Sequence, residues 1–388
     1  MSHLWTTPAG RAGPGRAASD AGPALTSTDK AIEVGEEFLH RRLDTALHAA
    51  RQTDDVFADE VADRVADLVR RGGKRLRTAF VWCGWQAAGG HGDPEDVLRL
   101  GAALELLQAC ALVHDDVMDG SPVRRGAPAV HVDFARMHGE GRMRGSLEAF
   151  ATGAAILAGD LALAWADDLF TETALGSEHG GCLHREWQAM RTEMAAGQYR
   201  DIRAQALGSS DVTEAVTVAT LKSAFYTVVR PLGLGAALAG ADEPTLGALR
   251  SAGRCAGLAF QLSDDLLGTF GDPADTGKPA DDDLRDRKLT YLLAVATRLA
   301  EASGDVQAGV VLAPGAEPRS ETGIAQMRSA VERTGARAAV SAEITELAAA
   351  SVEHFAATGA PDRIVEEFDA LVRRATGGVA DTAFREDR

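Results

Sequence analysis

A chain of 388 residues exceeds one typical domain, yet its 45% hydrophobic content is enough for a sizeable core, and large all-helical single domains reach this length. The formal charge of −17 speaks against nucleic acid and anionic membrane surfaces as partners. Cys83, Cys110, Cys182 and Cys255 are too scattered for a zinc site or a disulfide framework, which suits a reducing cytoplasm. No signal-peptide stretch opens the chain, and no charge-free window reaches transmembrane length, Lys222 and Arg230 interrupting the most apolar one. The expectation is a soluble cytoplasmic protein, not an integral membrane one.

Residues 1–28 are rich in Ala, Gly and Pro without an apolar period and are expected to be disordered, either as an inert extension or as a tether for a docking partner. Residues 29–377 read as one all-α domain. Its predicted helices run 32–51, 54–71, 74–88, 94–119, 147–173, 185–205, 212–238, 244–270 and 284–302, with shorter ones over 322–376. Surface loops are predicted at 139–145 and 304–320, and a disordered tail at 378–388. Strand alternation is nearly absent, and no internal period suggests a solenoid.

Two acidic clusters each end a strongly apolar segment. The first is Asp115, Asp116 and Asp119 in A-L-V-H-D-D-V-M-D-G; the second is Asp264 and Asp265 in F-Q-L-S-D-D-L-L-G. On a helix Asp115 and Asp119 share a face as i,i+4 neighbours, where like charges repel unless a cation lies between them. Carboxylates without grouped His or Cys favour magnesium held jointly with substrate phosphate. A solvated acidic helix end is the plain alternative for either cluster.

Lysine is rare: five residues (Lys30, Lys74, Lys222, Lys278 and Lys288) against 35 arginines. A compact ammonium suits diphosphate oxygens, whereas Lys30 reads as an ordinary surface residue. Lys74 follows Gly72 and Gly73, which admit a close backbone approach, and Arg77 lies one turn on. Lys222 sits in an apolar setting where an unpaired ammonium is expensive. Arg124 and Arg125 occupy a turn-rich segment that can fold back toward the first cluster, although two solvated loop arginines would read the same way. Carboxylates for metal, cations for phosphate and apolar helices behind them imply a ligand with a diphosphate head and a greasy body.

These motifs resemble those of the trans-isoprenyl diphosphate synthases, the polyprenyl synthetase family, over roughly residues 33–371. G-G-K-R-L-R, H-D-D-V-M-D-G-S-P-V-R-R-G, G-Q-Y-R-D, K-S-A-F-Y and F-Q-L-S-D-D-L-L-G-T-F-G-D with G-K-P-A-D-D-D-L occur in the family's order. The resemblance implies an isoprenoid synthase fold, a single helical bundle around a central apolar cavity, and usually a homodimer. It also implies magnesium as cofactor, with isopentenyl diphosphate and an allylic prenyl diphosphate as substrates. Asp115, Asp119 and Asp264, with Asp265 beside it, would serve the metal, and Asp116 would support them. Arg124, Lys222 and Lys278 would hold the allylic diphosphate, with Ser223 beside Lys222, and Gln198, Asp201, Gln261 and Asp283 would support that side. Lys74, Arg77, Gln108 and Arg125 would hold isopentenyl diphosphate, and Lys288 would close the site.

The chain departs from the family pattern at Gly268, where the second cluster usually ends in Asp, and at Thr78, Ser223, Asp281 and Arg287. The family sets product length on the helix before Asp115. Cys110 and Ala111 are small where aromatic residues stop growth early, so a product past fifteen carbons is expected, geranylgeranyl diphosphate by preference, with Leu107 or a neighbouring helix as the floor. A longer-chain synthase, a class I terpene cyclase and a non-catalytic subunit of a heteromeric synthase are the competing readings. The cyclase would not need Lys74 and Arg77, and a non-catalytic subunit should show eroded acidic or basic motifs, of which only Gly268 is a hint.

Overall fold

The structure is a computed structural model and describes residues 27–271, 282–313 and 320–377. Residues 1–26 and 378–388, with the docking role considered for the former, lie outside the described residues, as does Lys278. Ser27 is placed and caps the first helix by accepting a hydrogen bond from the Lys30 N–H. That helix, α1 (Thr28–Thr53), is followed by α2 (55–70), which carries a π turn at Ala58–Ala62, and by α3 (Leu76–Ala87). Next come α4 (Pro94–Asp119), the two-residue strands β1 (Val123–Arg124) and β2 (Ala127–Pro128), α5 (Val130–Glu140), α6 (Leu147–Gly176) and α7 (Gly180–Leu207).

The second half contains α8 (212–238), whose middle is a long π segment at Ala219–Val229, then α9 (Glu243–Phe270) and α10 (Asp282–Arg285). It continues with α11 (Tyr291–Ser303), α12 (Val306–Leu312), α13 (Glu321–Arg333), α14 (Ala336–Ala356) and α15 (Asp362–Ala375). The all-α expectation holds. Helix α4 has the bounds its sequence sets: Asp93 caps it, Pro94 occupies the first turn where its missing N–H costs nothing, and Gly120 ends it with φ 65°.

Helix α4 is the hub of the fold. Leu100, Leu104 and Leu107 are fully buried, and the helix packs chiefly against α6, then against α3 and α1. Burying each such leucine contributes roughly 1.5–3 kcal/mol. The main core includes Phe80, Trp82 and Phe134 and reaches Phe355 and Phe368, whose rings stack at 4.0 Å. A second apolar cluster joins α9, α11, α12, α13 and α14.

Four expectations need correction. No helix is predicted between 119 and 147, where α5 forms and enters the loop expected from 139, and the predicted loop at 304–320 contains α12, capped by Asp305 through the Ala308 N–H. The helix predicted over 284–302 is broken, because Thr290 caps a new start at Tyr291 by accepting from the Leu293 N–H, while the Tyr291 N–H donates to the Asp265 carboxylate. The most apolar stretches are α4 and α6 rather than the region of Lys222 and Arg230. Both are long and apolar enough to cross a membrane by length and composition, with 72% and 33% of the respective stretch buried.

Candidate active site

The first acidic cluster occupies the last turn of α4, where the helix dipole disfavours negative charge. Cations brought from elsewhere offset this. Asp115 Oδ1 accepts from Lys222 Nζ at 2.9 Å and from Gln198 Nε2 at 3.1 Å, and Asp115 Oδ2 lies 3.3 Å from Arg124 Nη2. Burial pushes the Asp115 carboxyl up, but Lys222, Arg124 and Lys288 outweigh it and hold it below the usual range. Asp116 is buried and accepts from Arg124 Nε at 2.8 Å; there burial prevails over the guanidinium and raises the carboxyl. Asp119 accepts from Lys288 Nζ at 2.6 Å.

Lys222 reaches Asp115 from the π segment of α8. Its ammonium bridges Asp115 and Asp201, the latter at 2.7 Å, and these two carboxylates overcome burial and raise its pKa. The backbone beneath it is gripped from two sides. A Cβ at Gly197 would fall 2.4 Å from the Lys222 nitrogen, and one at Gly257 would fall 2.7 Å from Ala224 Cα. From this π segment Lys222 reaches α4 and α7 and Tyr226 reaches α4, and such segments are common at functional sites. Ser223 makes no side-chain hydrogen bond among the described residues.

A second basic group gathers beside Tyr226. Arg77 stacks over the Tyr226 ring at 4.2 Å and donates to Thr227 Oγ1, leaving its buried Nε without a partner among the described residues. The Tyr226 hydroxyl donates to Gln108 Oε1 at 2.7 Å. Arg125 stands at φ 53° in a tight hairpin turn with Gly126 and donates to the Leu68 carbonyl. Its guanidinium lies against Gly73, where a Cβ would be 3.2 Å from Nη2. Burial and the like charges of Arg75, Arg77 and Arg124 lower its pKa, so an anion placed here would relieve repulsion. Lys74 is exposed and makes no ion pair among the described residues. Arg75 faces inward instead and is spoken for by Glu105 at 2.8 Å and Glu36 at 3.0 Å.

The second cluster is divided by burial. Asp264 is exposed at the end of α9, whereas Asp265 is buried and uses both oxygens internally, accepting from Gln261 Nε2 at 2.8 Å and the Tyr291 N–H at 3.0 Å. Burial together with Asp283 pushes the Asp265 carboxyl up to about 8. Asp265 thus fixes the start of α11 and engages Gln261, while Asp264 is the exposed member of the pair. Arg287, at φ 50°, donates at 2.7 Å to the carbonyls of Ala313 and Val311, closing the open end of α12.

Of the residues expected to set product length, Leu107 and Cys110 are buried and Ala111 is partly exposed. Cys110 Sγ lies 3.7 Å from His114 Nδ1, and His114 Nε2 lies 3.2 Å from the Ile156 carbonyl of α6. Tyr226 and Thr227 were missed as site residues. For Tyr226 the signal was the K-S-A-F-Y spacing, which sets it on the face of Lys222 as an i,i+4 neighbour.

Among the described residues no three His, Cys, Asp or Glu side chains form a ready-made metal cluster. Asp115 and Asp119 nonetheless fit magnesium, which takes one or two carboxylates and completes its shell with phosphate oxygens and water. The polyprenyl synthetase family model matches residues 59–325. A farnesyl diphosphate synthase of Mycobacterium tuberculosis is 31% identical over 300 residues, spanning 77% of this chain and 78% of that protein. A short chain isoprenyl diphosphate synthase of Methanothermobacter thermautotrophicus is 30% identical over 356 residues, spanning 89% and 96%. The crystal structure of geranylgeranyl pyrophosphate synthase from Corynebacterium glutamicum, complexed with isoprenyl diphosphate and magnesium, superposes with TM-score 0.83 at 38% identity, covering 89% of this chain and 99% of that one. With Lys222, Arg124 and Lys288 gathered on the first acidic cluster and the family model spanning both clusters, the chain belongs to the polyprenyl synthetase family.

Proposed function

We propose that this chain condenses isopentenyl diphosphate head-to-tail with an allylic diphosphate, dimethylallyl, geranyl or farnesyl, releasing diphosphate and a longer trans-prenyl diphosphate. The observation that carries this reading is the pair of adjacent cationic groups: Lys222 and Arg124 beside Asp115, and Arg77 with Arg125 beside Tyr226 and Gln108. Two diphosphate sites side by side suit a coupling enzyme. A cyclase acting on one diphosphate does not need the second.

Magnesium held by Asp115, Asp119 and Asp264 would supply positive charge against the departing allylic diphosphate. Lys222 and Arg124 donate to the same oxygens, while Gln198 and Asp201 hold Lys222 and Asp115 in register. Arg77, Arg125, Gln108 and Lys74 bind the isopentenyl diphosphate and aim its double bond at the allylic carbon. The allylic carbon–oxygen bond breaks, the electron pair leaving with the diphosphate; the isopentenyl double bond then attacks the allylic cation, and a proton leaves to the released diphosphate. Buried apolar side chains of α4 and its neighbours keep water from the cation.

Small Ala111 and Cys110 support a product past fifteen carbons, with geranylgeranyl diphosphate as the first choice. Four free cysteines support a reducing, cytoplasmic setting. The apolar, largely uncovered face of α6, with Ile156 and Leu157 exposed, supports a homodimer formed there. The test is purified protein with magnesium, isopentenyl diphosphate and each allylic primer in turn, the products identified by mass. A C20 diphosphate is expected. A cyclic hydrocarbon made without isopentenyl diphosphate would overturn the reading.

A further inference from the structure

Arg287 has the left-handed backbone that glycine adopts most easily, φ 50°, and it is one of the positions where the chain leaves the family pattern. Its side chain gives the reason an arginine stands there. Nη1 donates to the Ala313 carbonyl and Nη2 to the Val311 carbonyl, each at 2.7 Å, and Nη2 lies 3.6 Å from Met327 Sδ. The guanidinium is thus planted between the open end of α12 and α13. Glycine would hold the same turn and make none of these bonds.

The next residue points the other way. Lys288 Nζ reaches Asp119 at the end of α4 at 2.6 Å. Its backbone is tied on both sides, the Lys288 N–H donating to the Asp283 carbonyl at 3.0 Å and the Thr290 N–H to the Lys288 carbonyl at 2.8 Å, and Leu284 and Leu289 are buried around the turn. Residues 287 and 288 therefore span from α12 and α13 to the first acidic cluster. An ammonium on a flexible four-carbon stem is placed only as well as the backbone that carries it.

We propose that Arg287 is a positioning residue for the condensation: by bracing the turn against α12 and α13, it holds the Lys288 ammonium at the first acidic cluster before substrate arrives. Lys288 then meets diphosphate by turning its side chain alone. The inference rests on the condensation reading above, with Lys288 acting on diphosphate beside Asp119. A donor already in place needs no rearrangement as charge develops, and a displacement of about 1 Å can cost as much as 100-fold in rate. The contacts of Arg287 lie with α12 and α13, so it acts through Lys288.

The experiment measures kcat and KM for chain elongation by the full chain with magnesium, isopentenyl diphosphate and an allylic primer, with thermal unfolding alongside. Arg287→Gly keeps the turn and removes the brace. Arg287→Asn does the same without the added freedom of glycine, since asparagine also tolerates left-handed backbone. Each should lower kcat/KM about 10- to 100-fold. In a Lys288→Ala background the same substitutions should change kcat/KM by less than about twofold, because residues that act as one unit are not additive. A cap that merely stabilised α12 would take the same factor from activity in both backgrounds. Wild-type kcat/KM in both Arg287 variants, or equal losses with and without Lys288, would overturn the inference and leave the condensation reading standing. Wild-type chain that elongates no primer would overturn both.

Discussion

Lys222 is the residue on which the site's electrostatics turn, because its ammonium satisfies Asp115 and Asp201 together. Lys222→Ala is expected to lower kcat about 10²- to 10³-fold, as loss of one preorganised donor to developing charge does. Steady-state rates of chain elongation check this, and a fall smaller than tenfold would remove Lys222 from the reacting centre. The cysteines make a separate prediction. Burial pushes the thiols of Cys83 and Cys110 from their ordinary value of 9.0 up to about 12. The folded state thus keeps its proton where the unfolded chain loses it, so this stability is fully present below pH 9 and is lost as pH rises toward 12. Cys83→Ala should flatten the alkaline limb of a stability–pH curve, and neither thiol should be alkylated in the folded protein at pH 8.

At the scale of elements, α4 was legible almost to the residue because its cap, its proline and its terminal glycine are all local signals. Helices α5 and α12 were not, since Gly139 and Gly141 and the short, weakly periodic V-Q-A-G-V-V-L read as loop until packing decides. The π segment was invisible for another reason. It depends on Gly197 and Gly257 from two other helices closing on the backbone near Lys222, and no pattern within 219–229 announces that. The acidic and basic motifs were readable as a set. The separation of Asp264 from Asp265 was not, because which aspartate faces inward is fixed by the distant Tyr291 N–H. Along α4 the same logic sorts the residues before Asp115. Ala111→Phe is expected to shorten the product, read by mass. Cys110→Phe crowds the α4–α6 contact at His114 and should cost about 1–3 kcal/mol, read by chemical denaturation. An unchanged product from Ala111→Phe would move the floor elsewhere.

For the molecule as a whole, α6 presents more apolar surface than the rest of the chain covers, Leu157 being 59% exposed. Leu157→Glu is expected to turn a dimer into a monomer in sedimentation at micromolar concentration; a wild-type monomer would refute assembly through this face. Across the fold, the charges of α4, β1, α8 and the segment after α10 are already matched with one another: Lys222 with Asp115, Arg124 with Asp116, and Lys288 with Asp119. A diphosphate arriving alone would draw off the cations and strand the carboxylates. A metal ion arriving alone would do the reverse. Only their joint arrival lets every charge change partners without leaving one bare, so each ligand must raise the other's affinity by the same factor, and the resting ion pairs act as a latch that opens to two keys turned together.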